Sequence, residues 1–172
     1  MINKIISIEN TRFIWNTNFS GDPEKDKFKS PKRKANIVIP DIMMARELID
    51  AGVNVKMTKP KEGEEEGFVP KYYVSVIVNY DSDWPPKIYL VSGNSEPNLL
   101  DEETVGMLDK IPVDNVNVII NPYEWSPGRF TLYVKTMYVE QGLGDDPFAA
   151  RYARRGNFEP AEYETPGETP FN

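Results

Sequence analysis

Residues 72–80 (YYVSVIVNY) constrain this chain more than any other segment. Their β-branched and aromatic side chains fit a pleated, half-buried surface, and a strand this apolar has to find partners within a sheet. Candidate partners recur along the sequence at 5–15, 35–40 (ANIVIP), 53–58, 87–92, 116–123 and 130–140. Asn10-Thr11 marks an expected bulge or bend within the first of these. Charged stretches broken by Pro and Gly, above all 18–31 and 59–70, read as loops. The runs at 116–123 and 130–140 predict a hairpin across 124–129. Strand alternation puts Phe130, Leu132, Val134, Thr136 and Tyr138 on one face of its second arm. Thr131, Tyr133, Lys135, Met137 and Val139 fall on the other.

Helices are few. Asp41 is a cap, Ile42, Ala45, Leu48 and Ile49 repeat at helical spacing, and Gly52 follows the last turn. Asp101 begins a second, short helix with Val105 and Leu108 inward and Met107 as a further inward candidate. Residues 145–155 predict a third, terminal helix. Seven strands with so few helices in 172 residues describe one mainly β domain. A small β-barrel with inserted helices follows, and the five-stranded OB-fold is the smallest barrel of that kind. The expected organisation is an OB-like domain at 1–144, a C-terminal helix at 145–155 and a flexible tail at 156–172. That tail holds Glu159, Glu162, Glu164 and Glu168, no basic residue and a penultimate Phe171, a composition expected to be disordered.

Two absent residue types remove much chemistry. With no Cys and no His there is no thiolate nucleophile, imidazole base, disulfide, or zinc site built on either residue. Nucleotide-binding and nucleophile motifs are missing as well. The carboxylate pairs Asp81/Asp83 and Asp145/Asp146 read as turn and cap residues, so no enzyme, cofactor or metal is expected. The N-terminus lacks a signal-peptide layout, and no apolar run approaches membrane-spanning length.

The net charge of −7 hides an asymmetry: residues 1–61 hold 12 basic and 7 acidic side chains, the remainder 8 and 20. The basic excess concentrates in Lys25, Lys27, Lys29, Lys32, Arg33 and Lys34, around Phe28 and just after Trp15 and Phe19. Cations neutralise phosphates and exposed rings stack on bases, which is what recognition of a single strand without sequence preference requires. Trp84 and Trp125 sit in turns beside proline and, flanked by Arg129, Lys135 and Lys71, fit the same chemistry. The acidic tail has two readings: it competes with DNA for the basic surface, or Phe171 enters a pocket on a partner while the acids meet its basic rim.

Several runs together carry a family resemblance. Phe13-Ile14-Trp15-Asn16-Thr17-Asn18-Phe19-Ser20-Gly21, then the basic stretch into Ala35-Asn36-Ile37-Val38-Ile39, resembles the opening of single-stranded DNA-binding proteins of tailed bacteriophages. So do Gly52-Val53-Asn54-Val55-Lys56, Pro85-Pro86-Lys87-Ile88, Leu100-Asp101-Glu102-Glu103-Thr104-Val105, Asn121-Pro122-Tyr123-Glu124-Trp125 and Lys135-Thr136-Met137-Tyr138-Val139. The likeness runs from Phe13 to Tyr152. Ile37 follows Asn36 where family members often carry an aromatic, and the tail lacks the dense Asp run of many of them. The resemblance implies an OB-fold, protection of single-stranded DNA during replication and recombination in the cytoplasm of an infected bacterium, and replication partners contacted through the acidic tail. The expected phosphate contacts are Lys25, Lys27, Lys29, Lys32, Arg33, Lys34, Arg129 and Lys135. The expected stacking residues are Trp15, Phe28, Trp84, Trp125 and Tyr133. A non-catalytic protein-interaction or virion module is the alternative, and a metal-dependent nuclease using Asp81 and Asp83 a minor one.

Overall fold

The computed structural model describes residues 5–93 and 95–142. The expected helix at 145–155 and the tail at 156–172, with Glu159, Glu162, Glu164, Glu168 and Phe171, lie outside the described residues. The elements are β1 (Ile6–Thr11), β2 (Phe13–Asn18), β3 (Arg33–Ile39), α1 (Ile42–Asp50), β4 (Lys56–Met57), β5 (Tyr72–Val78), β6 (Lys87–Val91), β7 (Asn98–Leu100), β8 (Val113–Ser126) and β9 (Arg129–Gln141), with 3-10 turns at Pro23–Lys25 and Val105–Asp109.

The run expected as one strand at 5–15 bends. Asn10 takes a left-handed φ of 53°, a conformation that a short polar side chain tolerates, and Arg12 separates β1 from β2. β1 pairs antiparallel with β8 and β2 with β3. At the bend the Thr11 hydroxyl donates to the Val38 carbonyl and the Val38 amide to the Arg12 carbonyl. The sheet runs β1-β8-β9-β5-β3-β2. Since β1 and β2 are one bent segment serving both ends of that path, the order around the core is that of a partly open, five-stranded OB-like barrel. β4, β6 and β7 are additions to it.

Alternate residues fill the interior: Ala35, Ile37 and Ile39 from β3, Val74, Val76 and Val78 from β5, Val116, Val118 and Ile120 from β8. Phe19 closes one end, fully buried, its ring edge-on to Phe13. Ile37 lies in this core, so it takes no part in the outer surface.

The hairpin departs from its expected form in two ways. β8 and β9 extend to the turn at Pro127-Gly128, where Gly128 adopts φ 75°, so Glu124, Trp125 and Ser126 are strand residues. The strict alternation expected along β9 also fails. Leu132 and Val134 point inward before Lys135, and Met137 and Val139 after it. Ile119 pairs with Thr136 and Ile120 with Val134, which leaves Lys135 as the extra residue of a β-bulge that reverses the faces.

The helix at α1 starts where expected, with the Asp41 carboxylate accepting from the Met43 and Met44 amides. Only Ala45 and Leu48 are buried; Ile42 and Ile49 are exposed, because a short helix resting on a curved sheet covers one narrow stripe. Asp101 caps a turn ahead of a 3-10 segment, with no α-helix, and Met107 faces solvent while Val105 and Leu108 are buried. β7 was not expected: its three residues are too few to show alternation. Among the described residues no helix is long and apolar enough to cross a membrane.

Candidate functional site

The basic loop between β2 and β3 is built around two carboxylates. Asp109 is buried below it and accepts from the Thr17 hydroxyl, the Phe19 and Ser20 amides and the Lys25 ammonium. Burial pushes its pKa up, but these donors together outweigh that and hold it below the ordinary carboxylate value. Asp26 accepts from Lys34 at 2.7 Å and from the Ser30 and Phe28 amides. Those bonds, Lys34 first, lower it to about 2. Gly21, at φ 71°, lets the chain pass close to Pro31; a Cβ there would lie 2.8 Å from the Pro31 carbonyl oxygen.

The loop's cations are thus largely engaged within the protein. Lys25 pairs with Asp109 at 3.1 Å, Lys29 with Glu24 at 2.8 Å, Lys34 with Asp26 and Arg33 with Glu102 at 3.7 Å. Arg33 also donates to the Phe19 carbonyl and lies over the ring of Tyr80, whose pKa burial raises to about 12. Among the described residues, Lys27 and Lys32 have no carboxylate within ion-pair distance. Phe28 is 79% exposed, with Lys27 over its ring.

A second set of side chains gathers on the outer face of the sheet. Register pairs Lys34 with Ile77, Asn36 with Ser75 and Val38 with Tyr73 on the face opposite Ala35, Ile37 and Ile39, Val38 itself being covered. The Lys56 ammonium donates to the Ser75 hydroxyl, which donates in turn to the Asn36 side-chain oxygen. Trp15 sits at an irregularity in the β2–β3 pairing with a left-handed φ of 63°, and its ring meets Tyr73 edge-on at 6.2 Å. Such a conformation costs a bulky residue of order 1–2 kcal/mol and clusters at working surfaces.

Next along this face, Tyr133 of β9 pairs with Ile77, and the Tyr123 and Tyr133 rings lie 6.5 Å apart. Here β9 changes partner: its first half runs beside β5, and from Thr136 onward it runs beside β6. The segment joining β5 to β6 leaves the sheet, carrying Trp84, and opens a groove of about 700 Å³ lined by Trp84, Lys87, Asn121, Tyr123, Tyr133 and the bulged Lys135, among others. Trp84 is 89% exposed. At the hairpin tip Arg129 lies over Trp125 at 5.8 Å.

The structure therefore brings Trp84, Tyr133 and Lys135 together in one groove and places Trp125 and Arg129 at its hairpin end. Trp15 lies further across the same face. Phe28 and the loop cations form a separate cluster. Lys87, Lys56 and Ser75 were not among the expected binding residues. Tyr73, Ser75 and Ile77 could have been found as the off-core set of β5, and Lys87 as an outward residue of β6. Asp81 and Asp83 are exposed, and among the described residues no group of three or more acidic, His or Cys side chains is arranged to hold a metal ion.

Aromatic faces beside ammonium groups that pair with no carboxylate among the described residues suit a flexible polyanion bearing planar rings. Residues 2–168 match a family model described as "Putative phage ssDNA-binding domain", in agreement with the resemblance carried by the runs from Phe13 onward. No curated protein matches the chain. The crystal structure of gp2.5, a single-stranded DNA binding protein encoded by bacteriophage T7, aligns with 96% of this chain and 100% of that one at 12% identity and a TM-score of 0.40. At that similarity the fold assignment rests on the strand pairing itself.

Proposed function

The chain belongs to the phage single-stranded DNA-binding domain family, and from that premise we propose that it coats single-stranded DNA along the outer face of β3, β5, β9 and β8. Trp84, Tyr133 and Trp125, with Tyr123 and Trp15, stack on bases. Lys135, Arg129, Lys87 and Lys56 meet phosphates. Phe28, Lys27 and Lys32 extend the contact from the loop. In an OB-fold, the face of the second and third strands and the loops after the first and fourth strands take oligonucleotides. Those parts correspond to β3 with β5, the basic loop, and the Pro127-Gly128 turn.

The observation that carries this reading is the groove, where two lysines outside any described ion pair share a wall with three exposed or half-exposed rings. Contacts to ring faces and backbone phosphates are available to every base, so sequence preference is slight. The protein turns nothing over. It protects strands during replication and recombination in the cytoplasm of the infected host, and the acidic residues of 156–172 with Phe171 contact replication partners.

Trp15, Trp84 and Trp125, all more than half exposed, are the only tryptophans and report on the face directly. Titration with oligo-dT at low salt should quench their fluorescence and saturate. An unchanged emission spectrum would overturn the reading.

A further inference from the structure

Beyond the groove, the outward rows of β6 and β9 continue. Lys87 pairs with Thr136, both at the groove wall, and the next outward pair is Tyr89 with Tyr138. These two rings are stacked, with centroids 4.7 Å apart and planes 13° from parallel. Two residues along a strand is a step of about 6.6 Å. On the other side of Tyr138 the residue across β8 is Asn117, whose short side chain leaves the ring 39% exposed. Leu99 of β7, opposite Tyr89, is exposed as well.

Only the reversal of faces at Lys135 makes this possible. Without the bulge Tyr138 would share the inward face of Leu132 and Val134; with it, Tyr133, Thr136 and Tyr138 are all outward. One row further on, Val91 pairs with Glu140, whose carboxylate accepts from Asn115 and would repel a phosphate.

We propose that the β6–β7 addition extends the DNA path past the barrel, with the Tyr89–Tyr138 stack as a further base platform and Glu140 marking its end. This rests on the single-strand reading given above. The occupant is the same strand that fills the groove, because Lys87 borders both places and the platform offers rings without a basic cluster of its own.

The test uses the full chain and a ladder of oligo-dT lengths increasing by one nucleotide. Affinity should rise with length and show one last increment, of about fivefold or more, as the strand reaches the platform. Tyr138→Thr, a β-branched replacement suited to an exposed strand position, should abolish that increment and leave shorter oligonucleotides bound as before. Tyr138→Phe, which keeps the ring, should retain it. Thermal unfolding of each variant shows whether the sheet is intact. If Tyr138→Thr is folded and its ladder matches that of the parent, the platform is wrong while the groove stands. A ladder unchanged but self-association altered in sedimentation makes the stack a protein contact and likewise overturns the inference. Failure of the parent chain to bind any length overturns the single-strand reading itself.

Discussion

In the loop at 22–34, Lys25, Lys29, Arg33 and Lys34 each face a carboxylate of this same chain. At the groove between β5 and β6, Lys87 and Lys135 share walls with Trp84, Tyr123 and Tyr133 and meet no described carboxylate. Of the loop's six cations only Lys27 and Lys32 lie outside a described ion pair, no more than the two lysines of the groove. A lysine already paired must break that pair before meeting a phosphate, whereas a solvated lysine gains the contact and releases a counterion. Density of basic residues along a sequence is therefore a poorer guide to a polyanion site than the number of cations the fold leaves unpaired.

The sharpest way to separate the two regions is to remove the carboxylate that organises the loop. Asp109→Asn leaves the Lys25 ammonium and two amides around a neutral, partly donating group, and should cost about 2–4 kcal/mol of stability in urea denaturation at neutral pH. Because the folded-state pKa of Asp109 is depressed, its contribution is fully present above the ordinary carboxylate value and is lost as pH falls through the lowered one. The variant should lose that acid-side dependence. Unaltered stability would mean that the loop is not a structural unit.

Trp84→Ala should do the reverse. Removing a ring that is almost fully exposed should change stability by less than about 0.5 kcal/mol, while oligo-dT affinity falls roughly 5- to 150-fold. Equal affinity for the two proteins would remove the groove from the binding surface.

A smaller effect discriminates between cations. Lys135→Ala should reduce the slope of log affinity against log salt by about 0.7, the value for one phosphate contact on a single strand. Lys34→Ala, taken from a pair with Asp26, should reduce it by less, and the opposite ranking would return the phosphate contacts to the loop.

The smallest effect is with pH. The Asp26 carboxylate titrates at about 2 and Tyr80 at about 12, and the chain has no His. Oligo-dT affinity should thus be flat between about pH 6 and pH 8, as followed by fluorescence titration. A step in that window would point to a titrating group outside these.

Much of the framework was legible from residue patterns: Asp41 and Gly52 bracket α1, the β-branched runs became strands except that only Lys56–Met57 of 53–58 did, and the bend fell at Asn10. These signals are local, so a linear reading captures them. The pairing of Lys25 with Asp109 spans 84 positions, and that of Arg33 with Glu102 depends on where the 3-10 segment packs; neither leaves a trace in spacing. The bulge at Lys135 is equally silent, since it coincides with the change of partner along β9 and with no local residue pattern, and it turned a correct strand into a wrong assignment of faces. Exposure of Trp84 was legible because Asp81-Ser82-Asp83 and Pro85-Pro86 mark a turn around it. Its meeting with Tyr133 and Lys135 was not, because the groove exists only where β5 ends and β6 begins.

Ultraviolet cross-linking of oligo-dT to the full chain, with the adducts mapped to peptides, puts the contrast between loop and groove to direct trial. The sheet-face account predicts adducts at Trp84, Tyr123 and Tyr133, with Phe28 a minor site at most. Adducts confined to residues 22–34, with none on the groove peptides, would contradict it.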